Sequence, residues 1–445
     1  MSLLKPASAR DIRGRVANTH ELGPAAVRGR TVLLRPPRFD DAEAWARVRI
    51  RDRALIEPFA PSSTLSWEQR HAPQIWRNTV LGFRRAQRAG RILPFVIEVD
   101  GVFAGQIALT WAEPNASTAE ISIWLDSHAA RGGVATVSAA ILCDASFTIL
   151  GMERITAATS TDNLPTIAGC ERLGMHYEAT MPSFFDAGGV RKTFVLYALT
   201  PDDTPASGFV AHLGGQSIPP TPKRRPRNGL VGRWVRPTPG STGAWDPRNA
   251  LAAVEQAART AAFLASAAVA ERLRRFARSR PITLGPRMTS VGAVTVRSRT
   301  VADREALQTI APSAGHRTRA SDRMLERVHL TRSDALEFTI ELDGAAVGGI
   351  DLDQLYNRSA RLRVAAGPSS GWTDIVDAAV DFVLDSPAAC DMCRIWMPIE
   401  VGDAPLRLVA QRRGMQLEGV MARYERPDRK VADHELWAIT SDPPR

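Results

Sequence analysis

The segment Ala119-Glu-Ile-Ser-Ile-Trp-Leu-Asp-Ser-His-Ala-Ala-Arg-Gly-Gly-Val-Ala-Thr136 decides the fold, because it changes from a strand pattern to a helix pattern across a glycine turn. Ile121, Ile123 and Leu125 alternate with other side chains as in a half-buried strand, and an alanine-rich helical pattern follows over 134–147. The two glycines allow a tight turn, and the free N–H groups at the start of a helix attract an anion. The segment therefore predicts a phosphate-binding turn.

This turn lacks the features of two common nucleotide motifs. No Lys-Ser/Thr pair follows Gly132 and Gly133, and there is no G-x-G-x-x-G with an acidic residue about 20 positions later. Arg131-Gly-Gly-Val-Ala-Thr136 instead resembles the acetyl-CoA pyrophosphate loop of the GNAT acetyltransferases, in the form found in RimJ/RimL-like N-acetyltransferases. The resemblance covers residues 28–200 and implies the GNAT fold, an α/β fold with a mixed sheet.

The second half of the chain repeats the first. Arg172-Leu-Gly-Met175 corresponds to Arg412-Arg-Gly-Met415, and Leu196-Tyr-Ala-Leu-Thr200 corresponds to Leu436-Trp-Ala-Ile-Thr440, both at an offset of 240 residues. Collinear matches of this kind indicate two tandem copies of one fold. The predicted units are an N-terminal extension (1–27), an active GNAT domain (28–200), a basic linker with a long helix (201–289) and a degenerate GNAT-like domain (290–445).

The positive charge belongs to the linker. Residues 205–290 contain 14 Lys or Arg and 3 Asp or Glu, so their net charge exceeds the +10 of the whole chain. The basic segments 223–236 and 272–280 could bind an anionic partner such as RNA or a membrane surface. They could equally be solvated, and cations at a helix C-terminus also complement its dipole.

Composition narrows the cellular setting. No run reaches the roughly 18 apolar residues of a membrane span, and the N-terminus lacks the apolar core of a signal peptide. Four cysteines in 445 residues do not form a disulfide framework. Cys390 and Cys393 form a C-x-x-C pair without two further ligands at suitable spacing. We expect a cytoplasmic protein without a metal.

The copies differ at the phosphate turn. In the second copy the turn becomes Ala366-Gly-Pro-Ser-Ser-Gly-Trp-Thr373, where Pro368 removes an amide donor and Trp372 crowds the approach. Asp403 stands at the position of Asn163, and its charge would repel a phosphorylated cofactor. We expect the second copy to be a non-catalytic domain for packing, dimerisation or substrate recognition.

The resemblance implies specific contacts to acetyl-CoA. The backbone of strand 121–125 would meet the thioester, and Asn163 matches the family's asparagine that contacts the CoA arm. Thr166 matches the serine proposed to protonate the departing thiolate, although Asp162 and Asn163 could instead cap the following helix. The expected cofactor-binding residues are Ile123, Leu125, Arg131, Gly132, Gly133, Val134, Ala135, Thr136 and Asn163.

Three candidates remain for the general base that must neutralise the amine. Glu178 matches the family's Phe-x-x-Glu-Gly position, and Glu120 is the other carboxylate near the reacting strand. A carboxylate in a partly apolar cleft has a raised pKa and can accept a proton from an ammonium group. Glu418 occupies the matching position in the second copy, so the position of Glu178 could be structural. A water chain without a single base is the third candidate.

The predicted function is acetyl-CoA-dependent N-acetylation of a primary amine. The resemblance favours the α-amine of a protein N-terminus, as in ribosomal-protein acetylation. Acetylation of a small-molecule amine is an alternative, because substrate identity lies in variable loops. A non-catalytic acyl-CoA-binding protein attached to an anionic partner through the basic linker is another.

Overall fold

The computed structural model describes two units of mixed sheet and helix. The described residues are 9–63, 65–111, 116–130, 132–217, 276–278, 282–310, 330–332, 335–356, 358–366, 371–386, 389, 392–425 and 430–441. Several predicted features lie outside them, namely Arg131, the basic segment 223–236, most of 272–280, residues 367–370 and Cys390.

The first unit is a mixed sheet with helices on both faces. Its strands are β1 (Leu22–Val27), β2 (Arg30–Arg35), β3 (Ile92–Val99), β4 (Val102–Thr110), β5 (Thr118–Leu125), β6 (Arg154–Ser160), β7 (His176–Ala187), β8 (Val190–Leu199) and β9 (Gln216–Ser217). Its helices are α1 (Ala9–Asn18), α2 (Ala42–Arg51), α3 (Arg53–Ile56), α4 (Trp67–Arg70), α5 (Pro73–Arg88), α6 (Val134–Ala145), α7 (Leu164–Leu173) and α8 (Phe209–His212). A π-helical segment, Ser146–Leu150, follows α6, and 3₁₀ turns lie at Phe39–Asp41, Glu57–Phe59 and Pro201–Asp203.

The strands pair in the order β9, β1, β2, β3, β4, β5, β6, β8, β7. Within this described unit, β5 and β6 run parallel and every other pair is antiparallel. The predicted mixed sheet is confirmed. Alternation along β5 turns Ala119 and Ile121 into the core beneath α6 and leaves Glu120, Ser122 and Trp124 on the opposite face.

The first unit is larger than the sequence predicted. Ile12 and Val16 of α1 lie in its core, so residues before 28 belong to the fold. At the other end β9 pairs with β1, and Phe209 packs in the same core. The N–H groups of Phe209 and Val210 donate to the carboxylate of Asp144 at 2.8 and 3.1 Å. Residues 201–217, predicted as linker, therefore complete the first sheet.

The second unit has the same order of elements. Its main strands are β11 (Thr283–Thr289), β12 (Gly292–Ser298), β14 (Ala335–Leu342), β15 (Ala345–Tyr356), β16 (Ser359–Ala366), β17 (Arg394–Glu400), β18 (Gln416–Glu425) and β19 (Val431–Thr440). Its helices are α9 (Val301–Ile310), α10 (Trp372–Leu384) and α11 (Ala404–Arg412). The pairing order β11, β12, β14, β15, β16, β17, β19, β18 matches β1 to β8, with β16 and β17 as the parallel pair.

A separate two-stranded sheet joins β10 (Phe276–Arg278) to β13 (Leu330–Arg332). Residues 276–278 were predicted to end a long helix, so the helix prediction is wrong for these three residues. The second core starts at Ile282, ahead of the predicted boundary at 290.

The two units meet along β7 and β18 with approximate twofold symmetry. Ala179 pairs with Gly419, and a Cβ added to Gly419 would lie 1.9 Å from the carbonyl oxygen of Glu178. Gly419 is the counterpart of Ala179, 240 positions later, so equivalent residues of the two units pair with each other. Equivalent residues also meet at an isologous interface between identical subunits. The second unit therefore packs on the first as one subunit of a symmetric dimer packs on the other.

Buried ion pairs on both sides of this contact repeat the symmetry. Arg154 pairs with Glu178 and donates to the carbonyl of Ala422. Arg394 pairs with Glu418 and donates to the carbonyl of Pro182 at 3.2 Å. Both arginine side chains are at most 1% exposed.

Candidate active site

A cleft opens where the parallel strands β5 and β6 separate. The two strands pair over three positions, Thr118 to Glu120 against Arg154 to Thr156. Beyond Glu120, the described residues 121–125 pair with β4 and not with β6. The backbone of this half of β5, including Ile123 and Leu125, is thus free to bond a ligand lying between the strands.

The glycine turn stands at the end of this strand. Gly132 and Gly133 both have positive φ, +81° and +84°, and Gly133 begins α6. A side chain at either position would be strained, although space is open around both. The first turn of α6 contains no acidic residue, and Val134 and Thr136 are buried while Ala135 is partly exposed. The turn leads directly into the N-terminus of α6, whose first N–H groups attract anions.

Hydrogen bonds join Ser127, which lies between β5 and the glycine turn, to Asp52 at the end of α2. Asp52 accepts hydrogen bonds from the N–H and hydroxyl of Ser127 at 2.8 and 2.9 Å, and it pairs with Arg51 at 2.8 Å. The Arg51 guanidinium and the Ser127 bonds lower the pKa of Asp52 to about 2. These contacts hold the segment between β5 and Gly132 in place at neutral pH.

Asn163 precedes α7 but does not cap it. Its side chain makes no capping hydrogen bond, whereas the matching Asp403 accepts one from the N–H of Leu406 at 3.1 Å. Asp162 pairs with Lys192 at 2.7 Å and does not cap the helix either. The capping interpretation is therefore not supported for Asn163 in the first unit. Thr166 lies in the first turn of α7 and is partly exposed.

Glu120 combines accessibility with a strongly shifted pKa. Its side chain reaches solvent, yet the surrounding protein desolvates the carboxyl and raises its pKa to about 7. Its neighbours in register are Thr110 on β4 and Thr156 on β6, and no described residue forms an ion pair with it. Glu120 can therefore exchange a proton near neutral pH.

Glu178, the other carboxylate considered as the base, lies in the contact between the two units. Both of its carboxylate oxygens bond to Arg154, and Oε1 also accepts from the N–H of Ala422 at 2.9 Å. Its side chain is 6% exposed. The structure places it in the contact between the two units, where Glu418 does the same, and so gives no geometric support to Glu178 as the base.

The second unit has charged pairs where the first has small or neutral side chains around Glu120. The register puts Arg361 at the position of Glu120, opposite Asp353 at the position of Thr110. Arg361 bonds both oxygens of Asp353, at 2.7 and 3.0 Å, and donates to the hydroxyl of Tyr424 at 2.7 Å. At the two positions that match Glu120 and Thr110, the described carboxylate, Asp353, is thus paired with Arg361.

The start of α10 also differs from the start of α6. A Cβ built on Gly371, the residue before α10, would lie 2.2 Å from Cγ1 of Val291, whereas the same atom on Gly133 has only Val27 near it, at 3.9 Å. Asp374 places a carboxylate in the first turn of α10 and accepts from the Ser290 hydroxyl at 2.6 Å. Trp372 lies in the first turn of α10 and packs, partly buried, against the second core.

Sequence reasoning did not identify Trp45 and Arg49, which belong to an aromatic cluster on the face of Glu120. His71 is buried between Trp45 and Trp67, with ring centroids 5.3 and 4.0 Å away. Arg49 lies between Trp67 and Trp124. The spacing of Trp45 and Arg49, four residues apart on one helix face, was the signal available in the sequence.

Neither metal ligands nor a membrane span were found in the described part of the chain. No group of His, Cys, Asp and Glu there could hold a metal ion. None of the described helices has the length and apolar character needed to cross a bilayer.

Comparison with protein families matches residues 31–176 to the acetyltransferase (GNAT) domain. This range contains the cleft, the glycine turn and Asn163. No curated protein matches the chain.

Three of the solved structures that this chain resembles each match less than half of it. RimJ of Mycobacterium smegmatis, solved in complex with CoA-disulfide, is 32% identical, and the match covers 45% of this chain and 99% of RimJ with a TM-score of 0.43. A ribosomal-protein-S5-alanine acetyltransferase from Vibrio fischeri is 19% identical, covering 39% and 94% with a TM-score of 0.35. An acetyltransferase from Salmonella typhimurium that modifies the N-terminal serine of ribosomal protein L7/L12 is 19% identical, covering 41% and 99% with a TM-score of 0.35.

Proposed function

Because the chain belongs to the GNAT acetyltransferase family, we propose that its first unit transfers acetyl from acetyl-CoA to a primary amine, the α-amine of a protein N-terminus. The observation that carries the proposal is the separation of β5 from β6. It brings unpaired backbone, the Gly132-Gly133 turn and an accessible carboxyl at Glu120 to one cleft. The resemblance to RimJ/RimL-like enzymes supports the acceptor.

Acetyl-CoA supplies the thioester, and its binding fits the residues present. The backbone from Gly132 to Thr136 would hold the pyrophosphate, since two adjacent glycines with positive φ turn the chain into the helix N-terminus. The free backbone at Ile123 and Leu125 would bond the arm of CoA and the thioester oxygen. The amide of Asn163 would bond the arm from the opposite strand.

Glu120 is the proposed general base. An amine is a nucleophile only when neutral, so the incoming ammonium must lose its proton, directly or through water, to a group that is ionised near neutral pH. A pKa of about 7 meets this need. Thr166 remains the proposed donor of the proton to the leaving thiolate.

The second unit is proposed to be non-catalytic. Arg361 is tied to Asp353 where a base is needed, and Val291 and Asp374 lie at the start of α10 where a phosphate would bind. Its contact with the first unit through β18 supports a role in packing.

Turnover tests the proposal. Release of free CoA from acetyl-CoA, measured with a pool of N-terminal peptides and a pool of small amines, should be fastest with the peptides. Faster release with small amines would contradict the proposed acceptor, and CoA binding without release in either pool would contradict an enzyme.

Gly133→Ala should weaken acetyl-CoA binding about tenfold or more, because a residue with a Cβ disfavours φ of +84° and would shift the turn. Gly174→Ala is the matched control, since Gly174 has φ of +80°, equally open surroundings and a place at the far end of α7. Calorimetric titration of both variants with acetyl-CoA checks this. Equal losses of affinity in the two variants would show a general effect of strain and would contradict the assigned turn.

A further inference from the structure

Arg49 is held between two tryptophan rings on the same face of the sheet as Glu120. Its guanidinium carbon lies 5.1 Å from the ring centroid of Trp67 and 4.8 Å from that of Trp124. Trp124 follows Glu120 by four positions on β5, so both side chains project to one face. The arrangement fixes the plane of the guanidinium and leaves its edge to select a ligand.

The hydrogen bonds of Arg49 leave most of its donors unused. Arg49 Nε donates to Nε2 of His71 at 3.0 Å, so Nδ1 of His71 carries the proton and donates to the Trp67 carbonyl at 2.7 Å. This histidine is neutral, since burial and the nearby Arg49 lower its pKa to about 4. Within the described residues no carboxylate pairs with Arg49, and its two Nη atoms have no bonded partner.

The surroundings disfavour the charged form of the Arg49 side chain. Burial, followed by repulsion from Arg70, lowers the pKa of Arg49 to about 10. Arg70 stacks on Trp67 at 4.4 Å and is itself paired with Glu57 at 3.6 Å. A half-buried guanidinium with no counter-charge is stabilised by a bound anion, and its two Nη groups match a carboxylate.

The position of Arg49 separates its ligand from the phosphates of CoA. The glycine turn and α6 lie on the face of Ile121, whereas Arg49 and Trp124 pack with the cluster of Trp45, Trp76 and Phe103 on the other face. An anion at Arg49 therefore belongs to the acceptor.

Distance indicates what kind of acceptor fits. Four residues along a strand span about 13 Å, which separates Glu120 from Trp124, the residue whose ring contacts Arg49. The α-carboxylate of a free amino acid lies too close to its amine to reach both Glu120 and Arg49. An acidic side chain a few residues into a peptide can do so.

We propose that Arg49 binds an acidic side chain of the acceptor peptide, at about the third to fifth residue counted from the acetylated N-terminus. The proposal rests on the proposed function for the position of the amine. It makes Arg49 a determinant of acceptor choice, with Arg70 adding to the positive potential.

Peptide binding tests it without requiring turnover. Hexapeptides beginning with Ala, with Glu or Gln at each position from 2 to 6, are titrated into the full-length protein saturated with CoA, by calorimetry and by tryptophan fluorescence. At one or more of positions 3 to 5, Glu should bind about 10- to 100-fold more tightly than Gln. In Arg49→Gln this preference should fall to about twofold or less, and Arg49→Lys should keep part of it.

Arg47→Gln is the matched control, because Arg47 is exposed on the same helix and its loss removes the same charge. It should keep the preference for Glu. A preference that survives in Arg49→Gln, no preference at any position, or no binding of any peptide would overturn the proposal. Glu-dependent binding without acetylation of the bound peptide would support the anion site and contradict the proposed function.

Discussion

Glu120→Gln is expected to lower kcat about 100- to 1,000-fold, within the range found for loss of a general base. Glutamine keeps the shape of the side chain but cannot accept a proton. Because Glu120 lies on the cleft face opposite the glycine turn, the affinity for acetyl-CoA should change little. Steady-state kinetics with a peptide acceptor, together with calorimetric binding of acetyl-CoA, measure the two effects separately.

The pH dependence of kcat identifies which carboxylate is the general base. Burial raises the pKa of Glu120 to about 7, and a base works only when deprotonated, so kcat should rise with pH through about 7 and then level off. This acidic limb should be absent from Glu120→Gln. It should persist in Glu178→Gln, because the Glu178 carboxylate is bonded to Arg154 and Ala422 in the contact between units. Loss of the limb in Glu178→Gln and its retention in Glu120→Gln would reverse the assignment.

Arg154→Met and Arg394→Met should each lower the free energy of unfolding by about 3–5 kcal/mol, because each leaves a buried carboxylate without its partner. The carboxylates of Glu178 and Glu418 are 6% and 5% exposed. The similar size of the two losses follows from the approximate twofold symmetry of the contact. Urea denaturation followed by circular dichroism measures them.

Two controls separate this effect from simple loss of charge. Arg30→Met removes an ion pair whose side chains are 32% and 52% exposed, and it should cost about 1 kcal/mol or less. The double variant Arg394→Met/Glu418→Met should recover most of the stability lost in Arg394→Met, since it leaves no unpaired charge. Losses below about 1 kcal/mol in both arginine variants would contradict the buried contact between the units.

Local patterns were sufficient to predict the elements around the cleft. The alternation at 121–125 and the glycines at 132 and 133 predicted the strand, the turn and the helix in their observed order. These features depend on neighbours within a few residues, where periodicity and turn chemistry act. The repeat at an offset of 240 residues likewise predicted the second unit.

Features that depend on distant contacts were not predictable. Glu178 looked like a catalytic residue because its partner Ala422 is 244 residues away in sequence. The strand register was needed to show that Arg361 and Asp353 replace Glu120 and Thr110 in the second unit. The surroundings of Arg49 on α2 depend on rings from two other elements, Trp67 of α4 and Trp124 of β5.

The central claim is that the first unit binds acetyl-CoA and the second does not. Calorimetric titration of the full-length protein with acetyl-CoA measures this directly through the stoichiometry. We predict one molecule per chain, bound at the turn formed by Gly132 and Gly133. Two molecules per chain, or none, would contradict the account.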